Sequence, residues 1–366
     1  MKAIQSGFFR GTARLTQRPL AYRNALRPPI AIQPLESHHD RKTTMKHFSK
    51  SSGLRLSFIV SAFVAAFYLM PANAASARTT PVNGISTTFQ TVPTQFLDVD
   101  GTRIAYRRFG KRGGIPLVFF QHFVGNLDSW DPKVIDGFAH DRDVILFDNA
   151  GVGSSGGEVP TTIEAMAKQA IAFIHALGIT RADLLGFSMG SLVAQEVTVE
   201  QPDLVHRVVL VGSGPRGGVG MATLTPEFQA LLAKKRTPEE DLLLDVFFTK
   251  SDASQVAGRA FLTRIHARKV DRDAAVGARV APAQVAAFAA WGVPSADSTA
   301  YLEAIKQPVL VVAGSNDIVH YTINSYTLQQ KLPDAQLIIY PDSNHGSLYQ
   351  YPDLFLKDVT VFLNQP

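Results

Sequence analysis

Short apolar runs alternate with amphipathic segments along the chain after residue 90. The largely apolar runs have the length of strands, and they predict strands at 115–123, 143–148, 182–188, 205–214, 308–317 and 335–343. Segments between them carry apolar residues at helical spacing. The clearest predicts a helix over 161–178 that stops at Gly178. Apolar strands separated by helices indicate an α/β fold with a mostly parallel, doubly wound sheet.

Two stretches depart from this alternation. Residues 94–101 and 102–110 form a predicted hairpin that turns at Asp100-Gly101, a favoured two-residue turn. Residues 217–306 carry helical patterns but no strong strand pattern. We interpret them as a helical cap inserted between core strands, which divides the core into residues 90–216 and 307–366. A separate helical domain, unrelated to any site, is the alternative.

The first 77 residues contain the parts of a secretory signal peptide. Residues 56–70 are apolar and uncharged, they follow three basic residues in 46–55, and small residues follow them in 71–77. The run is shorter than the ~20 residues that span a membrane. We therefore interpret 45–77 as a signal peptide and expect the mature protein to be exported, to the periplasm or the medium. An uncleaved membrane anchor is the alternative.

Residues 1–44 precede a natural start for this signal at Met45, and we interpret them as a mis-assigned N-terminal extension. An Arg-rich organelle transit peptide is the alternative.

Residues 1–77 hold 11 of the 36 Lys and Arg, but only 2 of the 31 Asp and Glu. The remainder is mildly acidic, so we expect neither a nucleic-acid partner nor, once the signal is removed, a membrane.

Composition narrows the chemistry further. Apolar residues make up 46% of the chain and charged residues 18%, which excludes global disorder. The chain contains no Cys. Disulfides, thiolate metal sites and Cys nucleophiles are therefore excluded.

A candidate nucleophile lies between a predicted strand and a predicted helix. Gly186-Phe187-Ser188-Met189-Gly190 fits the pattern G-x-S-x-G, in which a sharp turn projects the serine hydroxyl clear of the backbone. Glycine is needed on both sides because a Cβ would clash there. The helix N-terminus after Ser188 supplies positive potential and the Met189 N–H for an oxyanion. A serine in an ordinary tight turn is the alternative.

A serine hydroxyl needs a base, and the base needs an acid. His345 lies in the loop after the last predicted strand, where a base is expected, and a surface loop histidine is the alternative. Asp317 follows the strand at 308–314, whereas the loop after 205–212 contains no acid. Asp342 is a poorer candidate because it lies only three residues from His345 and suits a turn.

The order Ser188…Asp317…His345, together with the order of elements, resembles the α/β-hydrolase fold family over about residues 94–364. The segment 120–125 is similar to the family's oxyanion loop, which implies the Phe123 N–H as second oxyanion donor, although Phe123 stands where Gly is usual. The segment 148–155 resembles the turn D-x-R-G-x-G-x-S with Ala150 in place of Arg, and we interpret it as structural.

The resemblance implies acyl transfer to water, with no metal and no organic cofactor. We expect a small apolar ester-like substrate, and six residues are candidates for the pocket: His122, Trp130, Phe247, Phe248, Phe261 and Trp291. The alternative is that most of these aromatic residues form the core of the cap itself. His122 either supports the oxyanion loop or is a buried structural histidine, while His320 is interpreted as a loop residue. Alternatives are a cofactor-free haloperoxidase-type perhydrolase, a carbon–carbon bond hydrolase, and a ligand-sensing protein on the same scaffold.

Overall fold

The computed structural model describes residues 88–237 and 241–366. Their eight strands form one sheet with the order β1-β2-β4-β3-β5-β6-β7-β8. The strands are β1 Gln95–Val99, β2 Thr102–Gly110, β3 Leu117–Phe120, β4 Asp143–Phe147, β5 Ala182–Phe187, β6 Val205–Val211, β7 Val309–Gly314 and β8 Ala335–Tyr340. Strands β3 to β8 run parallel, and β2 is antiparallel to both β1 and β4. The predicted α/β fold with a mostly parallel sheet is confirmed.

The predicted hairpin turns where expected. Val99 pairs with Thr102, which leaves only Asp100 and Gly101 in the turn. Both have positive φ, 51° and 80° respectively. Two consecutive left-handed residues match the right-handed twist of a hairpin, and Asp-Gly adopts this backbone at little steric cost.

Helices cover both faces of the sheet. The six that pack on it are α1 Pro132–Ala139, α2 Ile163–Ala176, α3 Met189–Glu200, α8 Thr322–Lys331, α9 Ser347–Gln350 and α10 Pro352–Leu363. Alternate strand residues enter two apolar layers. One layer, shared with α1 and α10, includes Phe119, Leu146, Leu185, Val209 and Val312. The other, shared with α2, α3 and α8, includes Val118, Ile145, Leu184, Val208 and Val311. Because both faces are buried, the strands read as continuous apolar runs.

Among the described residues, four further α-helices lie between β6 and β7, within the predicted cap: α4 Pro226–Ala233, α5 Leu242–Phe247, α6 Asp252–Ile265 and α7 Val280–Trp291. A short 3-10 helix, Ala300–Ala304, follows them. The α-helices pack on the core, since Phe247 joins the first apolar layer and Trp291 the second. The guanidinium of Arg264 donates two hydrogen bonds to Asp131, at the start of α1. The cap is therefore attached to the core, while its exact bounds at 217 and 306 stay a prediction.

Two predictions lie outside the described residues: the extension over 1–44 and the signal peptide over 45–77. Within 88–237 and 241–366, no helix combines the length and the apolar character that crossing a membrane requires.

Candidate active site

Ser188 occupies a strained turn between β5 and α3. Its φ of 54° and ψ of −123° lie in a region that non-glycine residues rarely adopt. A Cβ at Gly186 would overlap the backbone of Gly190, and one at Gly190 would overlap the carbonyl of Phe120. The turn is held because the Ser188 N–H donates to Val211 O of the neighbouring strand, at 2.9 Å. The serine is thus fixed at the carboxyl edge of the sheet.

Asp317 and His345 meet at the same edge, although they follow different strands. Nδ1 of His345 lies 2.8 Å from Oδ2 of Asp317, and both residues are buried. The other oxygen, Oδ1, accepts the N–H groups of Val319 and His320 at 2.8 and 2.9 Å. Burial opposes ionisation of Asp317, but the attraction of His345 and these hydrogen bonds outweigh it and lower the pKa of the carboxyl.

The hydrogen bond to Asp317 determines what Nε2 of His345 can do. A carboxylate only accepts, so Nδ1 carries the hydrogen and Nε2 has a free lone pair. Nε2 is buried and makes no hydrogen bond within the described residues. Ser188 lines the same cavity as this ring, but no hydrogen bond joins the two here. Hydrogen bonds between catalytic groups commonly tighten only when substrate is bound.

The loop after β3 is held by hydrogen bonds from its own residues and from the cap. The Gln121 side chain accepts the His122 N–H at 2.8 Å and donates to Asn126 O at 2.9 Å. Val124 has a φ of 48°, which is unfavourable for a β-branched residue. Its N–H donates to Oε1 of Gln284 in α7, at 2.6 Å, so the cap holds this backbone in place.

The cavity is enclosed by core and cap together. Ser188, Met189 and Phe123 form part of its wall, and the oxyanion site stays a prediction. Three histidines also line it: His122, His320 and His345. The remaining lining side chains are apolar: Leu224, Phe228, Leu242, Leu243, Val246, Phe247, Val285, Phe288 and Val319. The structure thus places His122 and Phe247, two of the six predicted pocket residues, on the wall.

The other four predicted pocket residues lie elsewhere: Trp130, Phe248, Phe261 and Trp291. Trp130 packs edge-on against Phe119 in the core, with ring centroids 5.2 Å apart. The rings of Phe248 and Phe261 pack on each other, with centroids 5.7 Å apart. Trp291 packs on Tyr301 at the same centroid distance. Trp130 therefore belongs to the core, and the other three rings pack inside the cap or between cap and core. Placing these four in the pocket was wrong, and the alternative that most of the aromatic residues form the core of the cap fits them better.

His320 lies in the turn after β7, which confirms that it is a loop residue, and it also forms part of the cavity wall. The residue is 1% exposed, and its Nδ1 lies 2.7 Å from Gly212 O. Its ring centroid is 5.2 Å from that of His345. Burial, aided by the charge of His345, lowers the pKa of His320 to about 4. Its position three residues after Asp317, at the carboxyl end of β7, is the sequence signal that indicates this role.

A pair of carboxyls, with Asp148 buried and Asp273 half-buried, joins the cap to the loop after β4. Leu127 N–H donates to Asp148 at 2.8 Å and to Asp273 at 3.3 Å. Burial, the charge of Asp273 and a hydrogen bond with it together raise the pKa of Asp148 well above its usual value. The Ser154 N–H also donates to Asp148. These contacts agree with a structural role for the turn over 148–155.

The described residues contain no group of three or more His, Cys, Asp or Glu side chains placed to hold a metal ion.

The sequence model of the α/β hydrolase fold matches residues 115–352, about two thirds of the chain. The chain belongs to the α/β hydrolase fold family. Among solved structures, this α/β hydrolase is similar to an alpha/beta hydrolase fold protein from Chitinophaga pinensis, with 41% identity and a TM-score of 0.72. That similarity covers 76% of this chain and all of the other.

Two curated relatives of this α/β hydrolase extend the comparison. The non-heme chloroperoxidase of Streptomyces lividans is 28% identical over 282 residues, which cover 72% of this chain and 97% of that protein. The 3-oxoadipate enol-lactonase 2 of Acinetobacter baylyi is 25% identical over 270 residues, which cover 74% of this chain and 96% of that protein. Relatives named as hydrolases or peroxidases support an enzymatic activity for this α/β hydrolase.

Proposed function

We propose that the protein is a serine hydrolase that cleaves a small or medium carboxylic ester or lactone through an acyl-enzyme. The observation that carries the proposal is the hydrogen bond between His345 and Asp317, beside a cavity that Ser188 enters from a strained turn. A neutral imidazole with a free Nε2 suits a general base for a serine hydroxyl.

In the proposed reaction, Ser188 Oγ attacks the carbonyl carbon while Nε2 of His345 takes its proton. Asp317 holds the imidazole and stabilises the imidazolium that forms. The N–H groups of Met189 and Phe123 donate to the oxyanion, and one such donor contributes about 3 kcal/mol in a comparable enzyme. His345 then returns the proton to the leaving alcohol and activates a water molecule on the acyl-enzyme. These steps require neither a metal nor an organic cofactor.

The wall of the cavity supports an apolar substrate. Residues from α4, α5 and α7 close it over the catalytic edge of the sheet, and most of their side chains are aliphatic or aromatic. Burial of apolar acyl groups is favourable in such a site. The proposed partner is therefore a small apolar ester-like molecule.

Hydrolysis of p-nitrophenyl acetate and butyrate tests this function, with Ser188→Ala as the matched variant. We expect the wild-type protein to release p-nitrophenol and the variant to lose about four to six orders of magnitude in kcat. A wild type that neither turns over these esters nor reacts with a phosphonate would contradict the proposal. That outcome would favour a ligand-sensing protein on this scaffold.

A second candidate is a cofactor-free perhydrolase, which uses hydrogen peroxide instead of water on the same acyl-enzyme. The relative named as a non-heme chloroperoxidase supports it. Peracid formation from acetate and hydrogen peroxide, lost in Ser188→Ala, would favour this candidate. A carbon–carbon bond hydrolase on the same three residues is tested by turnover of a vinylogous diketone.

We also propose that the protein is exported, on the signal-like pattern of residues 45–77. N-terminal sequencing of the native mature protein should find a start close after Ala74 or Ala77. A peptide from before Met45 in the native precursor would contradict the proposed start.

A further inference from the structure

His122 brings a second imidazole to the cavity, one that the proposed reaction does not use. The residue is 5% exposed and shares the wall with Ser188 and His345. Its ring packs edge-on against Phe187 and Phe247, with centroids 5.4 Å apart in each pair. The ring is thus held between fixed aromatic neighbours.

One hydrogen bond defines the tautomer of His122. Nδ1 lies 2.9 Å from the carbonyl oxygen of Phe123, and a carbonyl oxygen only accepts. Nδ1 therefore carries the hydrogen, and Nε2 carries a lone pair. Burial lowers the pKa of His122 to about 4, against the opposing effect of the bond to Phe123. At pH 7 the imidazole of His122 is therefore neutral.

Nε2 of His122 is buried and has no hydrogen-bond partner within the described residues. The cavity offers no donor side chain other than the serine and the histidines, and none of its lining residues is Lys, Arg, Asp or Glu. A buried acceptor without a donor is unfavourable, and a ligand with an O–H or N–H group would satisfy it. A ligand carboxylate, in contrast, would be buried without a cation.

We propose that His122 is a specificity-determining residue whose Nε2 accepts a hydrogen bond from the substrate. The cavity then selects uncharged esters or lactones that carry a hydroxyl or amide donor close to the scissile carbonyl. This inference rests on the proposed function, because it places the scissile carbonyl at Ser188.

Matched pairs of phenyl esters test the inference. In the esters of 2-hydroxybutanoic and 3-hydroxybutanoic acid, a hydroxyl stands where 2-methylbutanoic and 3-methylbutanoic acid have a methyl. The measurement is the kcat/KM ratio within each pair, for wild type and for His122→Leu. We expect the wild-type preference for hydroxyl, at one of the two positions, to exceed that of the variant by about tenfold to hundredfold. His122→Gln keeps a hydrogen-bond acceptor at this position, so this variant should retain part of the preference for the hydroxy ester.

The ratio isolates the hydrogen bond from other effects. A displaced oxyanion loop in His122→Leu lowers kcat/KM for both members of a pair, and the intrinsic reactivity of each ester is common to all variants. Equal ratios in wild type and His122→Leu would overturn the inference. Turnover of monophenyl succinate, which carries a carboxylate, as efficiently as phenyl pentanoate would overturn the selection of uncharged substrates.

Binding separates this inference from the proposed hydrolase. Calorimetry with the Ser188→Ala protein measures affinity for the methyl esters of the same acids without turnover. Tighter binding of a hydroxy ester that is lost in Ser188→Ala/His122→Leu supports the role of His122 even where no ester is hydrolysed. Equal affinity in both proteins overturns that role and leaves the hydrolase unaffected.

Discussion

His345 Nδ1 lies 2.8 Å from Asp317 Oδ2, and this contact joins the loops that follow β8 and β7. The carboxylate is oriented by two backbone N–H groups on its other oxygen. Both partners are buried, so water does not compete for the bond. The contact leaves the lone pair of His345 at Nε2, where a serine proton can be accepted.

Asp317→Asn tests this contact. The amide keeps the size of the side chain but can donate to Nδ1, which favours the wrong tautomer. We expect kcat for p-nitrophenyl butyrate to fall about 10⁴-fold, as for the equivalent change in serine proteases. Asp342→Asn is the matched control, because Asp342 accepts from Thr249 and Ser251 and not from His345. A large loss in Asp342→Asn with little in Asp317→Asn would contradict the assignment.

Gln284→Met tests the link between cap and oxyanion loop. The change preserves volume but removes the acceptor for the Val124 N–H, whose backbone is strained. We expect kcat to fall by about tenfold or more, since a buried N–H without a partner costs about 1–3 kcal/mol and the loop can relax. Gln330→Met, on the exposed side of α8, is the control. Unchanged kcat in Gln284→Met would show that the loop does not depend on the cap.

Gly190→Ala tests the close approach at the elbow. A Cβ there would overlap the carbonyl of Phe120, so β3 and α3 would have to separate. We expect the free energy of unfolding in urea to fall by more than about 2 kcal/mol. At Gly114 a Cβ meets no atom within 4 Å. We therefore expect Gly114→Ala to change the free energy of unfolding by less than about 0.5 kcal/mol. Similar losses in both variants would refute the steric argument.

Asp148→Asn tests the pair of carboxyls formed by Asp148 and Asp273. The folded-state pKa of Asp148 is raised, chiefly by burial and then by Asp273. Its protonation therefore contributes stability that is complete below the unfolded pKa and is lost as pH rises through the folded pKa. The charge of Asp128 opposes ionisation of the Asp273 carboxyl, and the charge of Arg107 favours it. The buried histidines His122 and His320, whose pKa values are lowered, add stability as pH rises, so the prediction concerns the difference between the two proteins. We expect the Tm of Asp148→Asn, relative to that of wild type, to rise as pH rises above about 4, the ordinary pKa of an Asp side chain.

The control for this slope is Asp297→Asn, which changes an exposed carboxyl in the same way. It should reproduce the wild-type dependence of Tm on pH. Equal slopes in all three proteins would show that the Asp148 carboxyl does not titrate in this range.

The sheet and the elbow could be predicted because their signals are local. The apolar strand runs, Asp100-Gly101 and the glycines around Ser188 each express a backbone or burial requirement within a few residues. Asp317 and His345 could be placed together because the carboxyl ends of parallel strands meet at one edge.

The pocket could not be predicted in the same way, because its wall depends on how the cap packs. Phe247 and Phe248 are adjacent in sequence and equally apolar, yet only Phe247 lines the cavity. Both rings contact Phe261, so which of the two faces the site depends on how the whole of α5 packs on residues far along the chain. The pairing of Asp148 with Asp273 is equally remote in sequence and has no local signal.

The most direct test of the central claim is the site of labelling by a fluorophosphonate, located by peptide mass spectrometry. We predict a single adduct on Ser188 in the wild-type protein, and none in His345→Ala on the same timescale. An adduct on another residue, or labelling of Ser188 at the same rate without His345, would contradict a serine nucleophile activated by that histidine.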